Sequence, residues 1–259
     1  MIGYWDRGYE WMGDRLQALW CPCFAHNQLQ SPDVSGFANH GTLVNFANNG
    51  NDALVASDGK IALNFNGVNN HVAVSRWQNM ERDYSVSVWI RTTHAASNTA
   101  MIASSFDGAG GAHLIGINGT NGALFAFDGT LSTEFTARPL NDGVWHLATI
   151  VRRFGASMTG FVDGAQVGQN NSTAWTGNPS SFGRLWRFGG TPFFGAQYPG
   201  LLDDFRIYSR VLTASEGLSM FQAGRGGGLL YEPPRRKTYF VPPVGPNRQR
   251  SSRLLCFPG

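Results

Sequence analysis

Between residues 41 and 208 the chain returns repeatedly to one local pattern, a short run of alternating apolar and polar residues followed by a turn of Gly, Asn or Asp. The run Tyr84-Ser-Val-Ser-Val-Trp-Ile-Arg91 shows it best. Tyr84, Val86, Val88 and Ile90 fall on one face, and Ser85, Ser87 and Arg91 on the other. Side chains alternate across an extended strand, so a period of two predicts a sandwich strand with one buried face. Residues 61–65 and 71–75 flank Asn66-Gly67-Val68-Asn69-Asn70 and predict a hairpin. Further strands are expected at 100–105, 113–117, 122–127, 133–137, 144–152, 158–162 and 184–188, with a tight turn at Val162-Asp163-Gly164-Ala165 and a last strand within 200–209. This spacing is close to the about 8–12 residues per strand of a sandwich. No strand–helix–strand rhythm interrupts it, which argues against a parallel α/β sheet. Thr213-x-x-Glu216 is a capping box and predicts one short helix to about Gln222, ended by Gly224-Arg-Gly-Gly-Gly228.

Composition agrees with many tight turns. The 259 residues include 33 Gly, 18 Phe and 8 Trp, and only 14% are charged, against a usual share of about 25%. Charge is also unevenly placed. Residues 232–259 hold Arg235, Arg236, Lys237, Arg248, Arg250 and Arg253 against Glu232, a net of +5 that leaves the remainder at −2. The same segment is rich in proline, which favours extended backbone over packing. The expected organisation is an N-terminal arm (1–14), a jelly-roll body (15–224) and a Gly/Pro/Arg-rich tail (225–259). Residues 1–30 show no clear period, but Trp5, Trp11, Leu16, Leu19 and Trp20 give them enough apolar mass to dock on a core. No basic region followed by an apolar stretch opens the chain, so no signal peptide is expected. No run approaches ~18 apolar residues, so no spanning helix is expected either. Cys21, Cys23 and Cys256 make an odd count, and the first two are close in sequence; free thiols are expected.

Several blocks carry a resemblance. Asp33-x-Ser35-Gly36-x-x-Asn39-His40-Gly41-Thr42-Leu43 resembles the opening loop of laminin-G-like, pentraxin-like jelly rolls. Leu63-x-Phe65-x-Gly67, Ser85-Val-Ser-Val-Trp-Ile90, Asp142-Gly143-x-Trp145-His146-x-Ala148 and Phe161-Val-Asp-Gly164 resemble the successive strands of that family. Gly200-x-Leu202-Asp203-Asp204-Phe205-Arg206-Ile207-Tyr208 resembles its closing strand. The blocks stand in the family's order over residues 15–224. The resemblance implies an all-β, concanavalin A-like sandwich of two antiparallel sheets, used for binding carbohydrate or protein and often holding calcium. A laminin-G-like body without a signal peptide and with an Arg/Pro tail is, more loosely, similar to tailed-phage virion proteins.

Calcium needs several oxygen ligands. Asp33, Asn39 and Asp203 are the candidate set, with Ser35 beside them. The competing reading is that Asp33 and Asn39 cap turns and that Asp203 accepts backbone hydrogen bonds. A glycosidase needs two facing carboxyls, and the Glu-x-Asp-x-x-Glu strand of the hydrolase branch is missing, so no enzyme is expected. Cys21-x-Cys23-x-x-His26 is not a standard zinc spacing. Trp77, Trp175, Trp186 and Phe193-Phe194 lie near turns as candidate sugar platforms, although most aromatics here are expected in the core.

In the tail, Arg235, Arg236, Lys237, Tyr239, Phe240, Arg248, Arg250 and Arg253 interleave charge with apolar side chains. That mixture favours docking on protein over binding nucleic acid. The leading expectation is a non-enzymatic virion protein, a capsid decoration (cement) subunit docked on the major capsid or another virion protein and assembled as a homo-oligomer. The alternative is a calcium-dependent carbohydrate-binding module or adhesin for cell-surface glycans, with its site on the loops at one end of the sandwich.

Overall fold

The structure is a computed structural model that describes residues 10–22, 30–46, 54–57, 60–74, 82–106, 112–177, 186–190 and 196–224. The tail residues named above, together with Trp5, Cys23, His26, Trp77, Phe193, Phe194 and Cys256, lie outside the described residues. Two antiparallel sheets face each other, as expected for a concanavalin A-like jelly roll.

The first sheet contains β4 (Leu54–Ser57), β5 (Lys60–Asn66), β7 (Tyr84–Arg91), β12 (His146–Arg153), β13 (Ser157–Val162), β14 (Ala165–Asn171) and β16 (Pro199–Tyr208). Its order is β14-β13-β12-β7-β16-β5-β4. β1 (Leu16–Trp20) pairs with Phe205–Tyr208 of β16, where β5 no longer reaches. The second sheet contains β2 (Gln30–Ser31), β3 (Gly41–Val44), β6 (His71–Val74), β8 (Thr99–Phe106), β9 (Ala112–Asn118), β10 (Leu124–Phe127), β11 (Ser132–Phe135) and β15 (Trp186–Phe188). Its order is β11-β10-β9-β8-β15-β6-β3-β2. Among the described residues, no helix is long and apolar enough to cross a membrane.

The main core lies between the sheets. Tyr84, Val86, Val88 and Ile90 of β7 enter it as their alternation predicts. Trp20, Phe188 and Phe205 form an aromatic knot in which the Trp20 and Phe188 ring centres are 4.6 Å apart and those of Phe188 and Phe205 are 4.1 Å apart. Trp20 thus ties β1 to the core, where the sequence showed only a lead-in without period. Trp175 and Trp186 are fully buried and provide no sugar platform.

The second face of β7 departs from expectation, because it too is buried. A helix, α1 (Ala214–Gly224), and a 3-10 turn at Glu10–Gly13 close over it. Met12, Leu212 and Met220 pack there on Trp89, Leu147, Val151, Phe161 and Tyr208, and Phe221 stacks on Trp89 at 5.7 Å. Each such aliphatic side chain contributes about 1.5–3 kcal/mol by leaving water. Serines survive on this face because they are bonded. Ser85 donates to Arg210 O at 2.8 Å and accepts from Leu212 N at 2.9 Å, and Ser87 meets Thr149 at 3.0 Å. The capping box forms as expected, with Glu216 N donating to Thr213 Oγ1 and Thr213 N to Glu216 Oε2. The helix ends where Gly224 touches Trp89: a Cβ there would come within 2.5 Å of the indole.

Cys21 corrects the free-thiol expectation, since it is buried and disulfide-bonded, with its partner outside the described residues. Thiol pairing depends on the path of the chain in space, which sequence spacing does not report.

Candidate functional site

Connections alternate between the two ends of the sandwich, and the ends differ in chemistry. One end is sealed by a buried ion pair, Arg152 with Asp128 at 3.1 Å, both fully buried. Asp128 also accepts from Thr130 N, Leu131 N and Gly177 N, and Arg152 donates to Arg82 O, Trp175 O and Gly177 O. Nearby, the Tyr84 hydroxyl and His113 Nδ1 share a hydrogen bond of 2.9 Å. Among the described residues, these bonds hold that end together.

Three of the loops at the opposite end are β7–β8 (residues 92–98), β9–β10 (119–123) and β11–β12 (136–145). Asn141 joins all three. Its Nδ2 donates to His94 O at 2.9 Å and, more weakly, to Gly119 O at 3.5 Å. Around it Gly119 N donates to Asn98 O, Leu140 N to Gly122 O, Gly143 N to Thr92 O, and Arg91 Nε to Gly143 O at 2.6 Å. Gly122 has φ +69°, and a Cβ there would collide with Asn141 Oδ1 at 2.2 Å, so glycine is required for the loops to close. The outcome is a fixed platform with Thr93, Ser97, Asn98, Thr120, Asn121 and Asp142 exposed, and with Val144 exposed beside half-buried Trp145. Hydroxyls and amides that both donate and accept, next to apolar surface, suit neutral polyhydroxyl ligands.

His146 fixes the flank of this platform. It lies between two carboxylates, with Nδ1 2.9 Å from Asp163 Oδ2 and Nε2 3.1 Å from Asp142 Oδ1. Burial opposes its charge, but the hydrogen bonds and charges of Asp163 and Asp142 prevail and raise its pKa above 6.5. Asp142 moves the other way. Partial burial pushes it up, and this is outweighed by the Val144 N–H and by His146, so its carboxyl sits below the ordinary range. Asp163 also accepts from Leu147 N and pairs with Arg138 at 2.8 Å.

The residues singled out for calcium lie elsewhere. Asp33 bridges to Trp20 and is buried. Its Oδ1 accepts from Leu19 N and Ser35 N, and its Oδ2 from Asn39 N at 2.9 Å and Ser35 Oγ at 2.8 Å. Those four bonds use the roughly four lone-pair sites of a carboxylate, so Asp33 acts as the cap that straps its loop to β1. Asn39 donates to Gln17 O, and its own carbonyl accepts the Trp20 indole N–H. Its Oδ1 and Ser31 Oγ are buried without hydrogen-bond partners, but two neutral oxygens do not replace the charged ligands a hard dication needs. Asp203 is buried on β16 opposite Trp89 and lines, with Ser31, Trp20 and Phe205, a small pocket. No three His, Cys, Asp or Glu side chains gather as a metal site among the described residues. The donor set at Asp33 therefore does not fit calcium.

Comparison with known proteins agrees with this architecture. The laminin G family model described as the concanavalin A-like lectin/glucanases superfamily matches residues 66–216, more than half of the chain, and the chain belongs to that superfamily. A search of curated proteins finds no match. Among solved structures, the chain is similar to the binding domain of Paraclostridial Mosquitocidal Protein 1 (17% identity, TM-score 0.61, 81% of this chain and 52% of that one). It is also similar to Domain 4 of AbnA, a GH43 extracellular arabinanase from Geobacillus stearothermophilus solved with arabinotriose (19%, 0.59, 80% and 98%). A third is a botulinum neurotoxin type C structure whose cell entry depends on two ganglioside molecules (18%, 0.57, 85% and 52%). The chain thus spans about half the length of the toxin domains and nearly all of the arabinanase domain. At these identities the likeness establishes the fold.

Proposed function

We propose that this chain is a non-enzymatic carbohydrate-binding module whose site is the loop end organised by Asn141. The observation that carries the reading is the bonding of three loops into one fixed platform rimmed by Thr93, Ser97, Asn98, Thr120 and Asn121. Pre-organised loops lose little entropy when they bind a ligand. Similarity to a domain solved with arabinotriose and to ganglioside-dependent toxin domains supports a glycan as that ligand. Binding is favoured over hydrolysis by the carboxylates at this end. Asp142 and Asp163 face each other across His146 and are held by it. The lowered pKa of Asp142 is opposite to what a general acid needs.

A glycan array that includes arabino-oligosaccharides and sialylated glycans tests the reading. Binding is expected, and Thr120→Arg, which projects a long cation over the platform from an exposed loop position, lowers affinity at least tenfold with no change in Tm. An empty array, or binding untouched by Thr120→Arg, refutes it. The capsid decoration reading stands second. It rests on the basic, apolar-studded sequence of residues 225–259, which lie outside the described residues.

A further inference from the structure

Among the described residues five strands have an outer edge; that of β1 is bridged by Asp33 and bonded by Val34 N, and three of the other four carry protection against pairing with another chain. β2 is two residues long and runs into Pro32, β4 is four residues long and precedes Asp58, and β11 contains Glu134, bonded to Asn118 at 2.8 Å. Shortness, proline and charge are the usual means of blunting an edge. β14 has none of them. It is seven residues long, Ala-Gln-Val-Gly-Gln-Asn-Asn, and no charged residue occurs from Gly164 to Gly183. Ala165, Gln166, Gln169 and Asn171 are exposed.

The ladder shows which backbone groups of β14 have no partner among the described residues. β14 pairs with β13 as Ser157↔Asn171, Met158↔Asn170, Thr159↔Gln169 and Gly160↔Gly168, and just beyond it Ser172 N donates to Ala156 O. Inward bonds recur every second residue in an antiparallel ladder. Asn170 and Gly168 therefore bond inward, and Gln169 and Asn171 present their N–H and C=O groups away from β13. The inner face is closed, because a Cβ on Gly168 would meet the Phe135 ring at 2.8 Å. Side chains at 169 and 171 lie on the outer face.

We infer that β14 is a self-pairing edge through which two copies of this chain dimerise, antiparallel, about a two-fold axis at Gln169. The occupant is a second copy because the segment is complementary to itself. An axis at Gln169 makes Gln169 its own partner, with the N–H and C=O of each bonding the other, and sets Asn171 opposite Val167. A neutral strand meets its copy without like-charge repulsion, and such a two-fold contact closes at a dimer.

Light scattering during size-exclusion chromatography on the full chain reads the result. The expected mass is twice the 28.2 kDa of one chain. Gln169→Pro removes an N–H that faces away from β13, so it leaves that ladder intact and halves the mass. Gln169→Cys provides a readout that survives if the proline variant fails to fold. Hydrogen-bonded antiparallel partners have Cα atoms about 5.5 Å apart, within disulfide reach. Mild oxidation is therefore expected to link two chains of the Gln169→Cys variant, while the Gln166→Cys variant and the parent chain stay unlinked. A monomeric parent chain overturns the inference, as does an oligomer in which the Gln169→Cys variant forms no cross-link.

Discussion

His113 makes acid stability a test of how this core is built. The imidazole is 1% exposed on β9, its Nδ1 bonds the Tyr84 hydroxyl, and its Nε2 has no partner. Burial, reinforced by the nearby Arg152 cation, depresses its pKa from 6.5 to about 3. The folded form thus keeps the ring neutral while the unfolded chain protonates it near pH 6.5. Between those values the unfolded state binds more protons, so stability is complete above pH 6.5 and falls as pH drops toward 3. Each pH unit in that window removes about 1.4 kcal/mol, or ~3 kcal/mol between pH 6.5 and 4.5. His113→Gln keeps an acceptor for Tyr84 and removes the titration. Urea unfolding of both proteins at pH 7.0 and 4.5, followed by tryptophan fluorescence, isolates the effect because the carboxylates are common to both. The parent is expected to lose about 3 kcal/mol more than the variant. Equal losses, within about 0.5 kcal/mol, refute the argument that His113 is held neutral in the core.

Two further outcomes follow from buried carboxylates. Asp128→Ala leaves Arg152 charged and uncompensated where both partners are fully buried, so it is expected to cost about 3–5 kcal/mol; a loss under about 1 kcal/mol in chemical denaturation shows that the pair is dispensable. Asp33→Ala strands the N–H groups of Leu19, Ser35 and Asn39 and is expected to cost several kcal/mol at about 1–3 each, with the same Tm for the parent chain in excess calcium and in chelator. A calcium-dependent rise in the parent Tm shows a bound ion by mass action and refutes the capping reading.

The strands were legible because they report their own faces. Tyr84–Arg91 and the Asn66–Asn70 turn can be read from a few adjacent residues, and the closing capping box from four. What lay beyond reach depended on distant pieces. Ser85 and Ser87 signal an outward face by composition, and only the packing of Met12 and Met220 over Trp89 reveals that this face is covered. β1 was missed because Leu-Gln-Ala-Leu-Trp has no clean alternation, and its order comes from Trp20 meeting Phe188 and Phe205. The loop platform was anticipated only as a place, one end of the sandwich. Its hub, Asn141, bonds carbonyls 47 and 22 residues away, a relation no local pattern encodes. Asp33 shows the converse. Sequence offered both a ligand and a cap, and four hydrogen bonds to one carboxylate favour the cap in physical terms.

The platform and the proposed dimer edge together determine what a dimer does with a glycan. β14 begins beside Asp163 and Gly164, at the end that holds the Asn141 platform, and runs toward the end sealed by Arg152 and Asp128. Antiparallel pairing of two β14 strands therefore turns the two platforms away from each other. Two sites on one face raise affinity for a single surface by presenting a high effective concentration. Two sites facing apart cannot engage one flat surface together, so dimerisation leaves affinity for it nearly unchanged. With both proposals in place the gain would lie in linkage: a dimer would hold one glycan-bearing surface at each end and so bridge two surfaces.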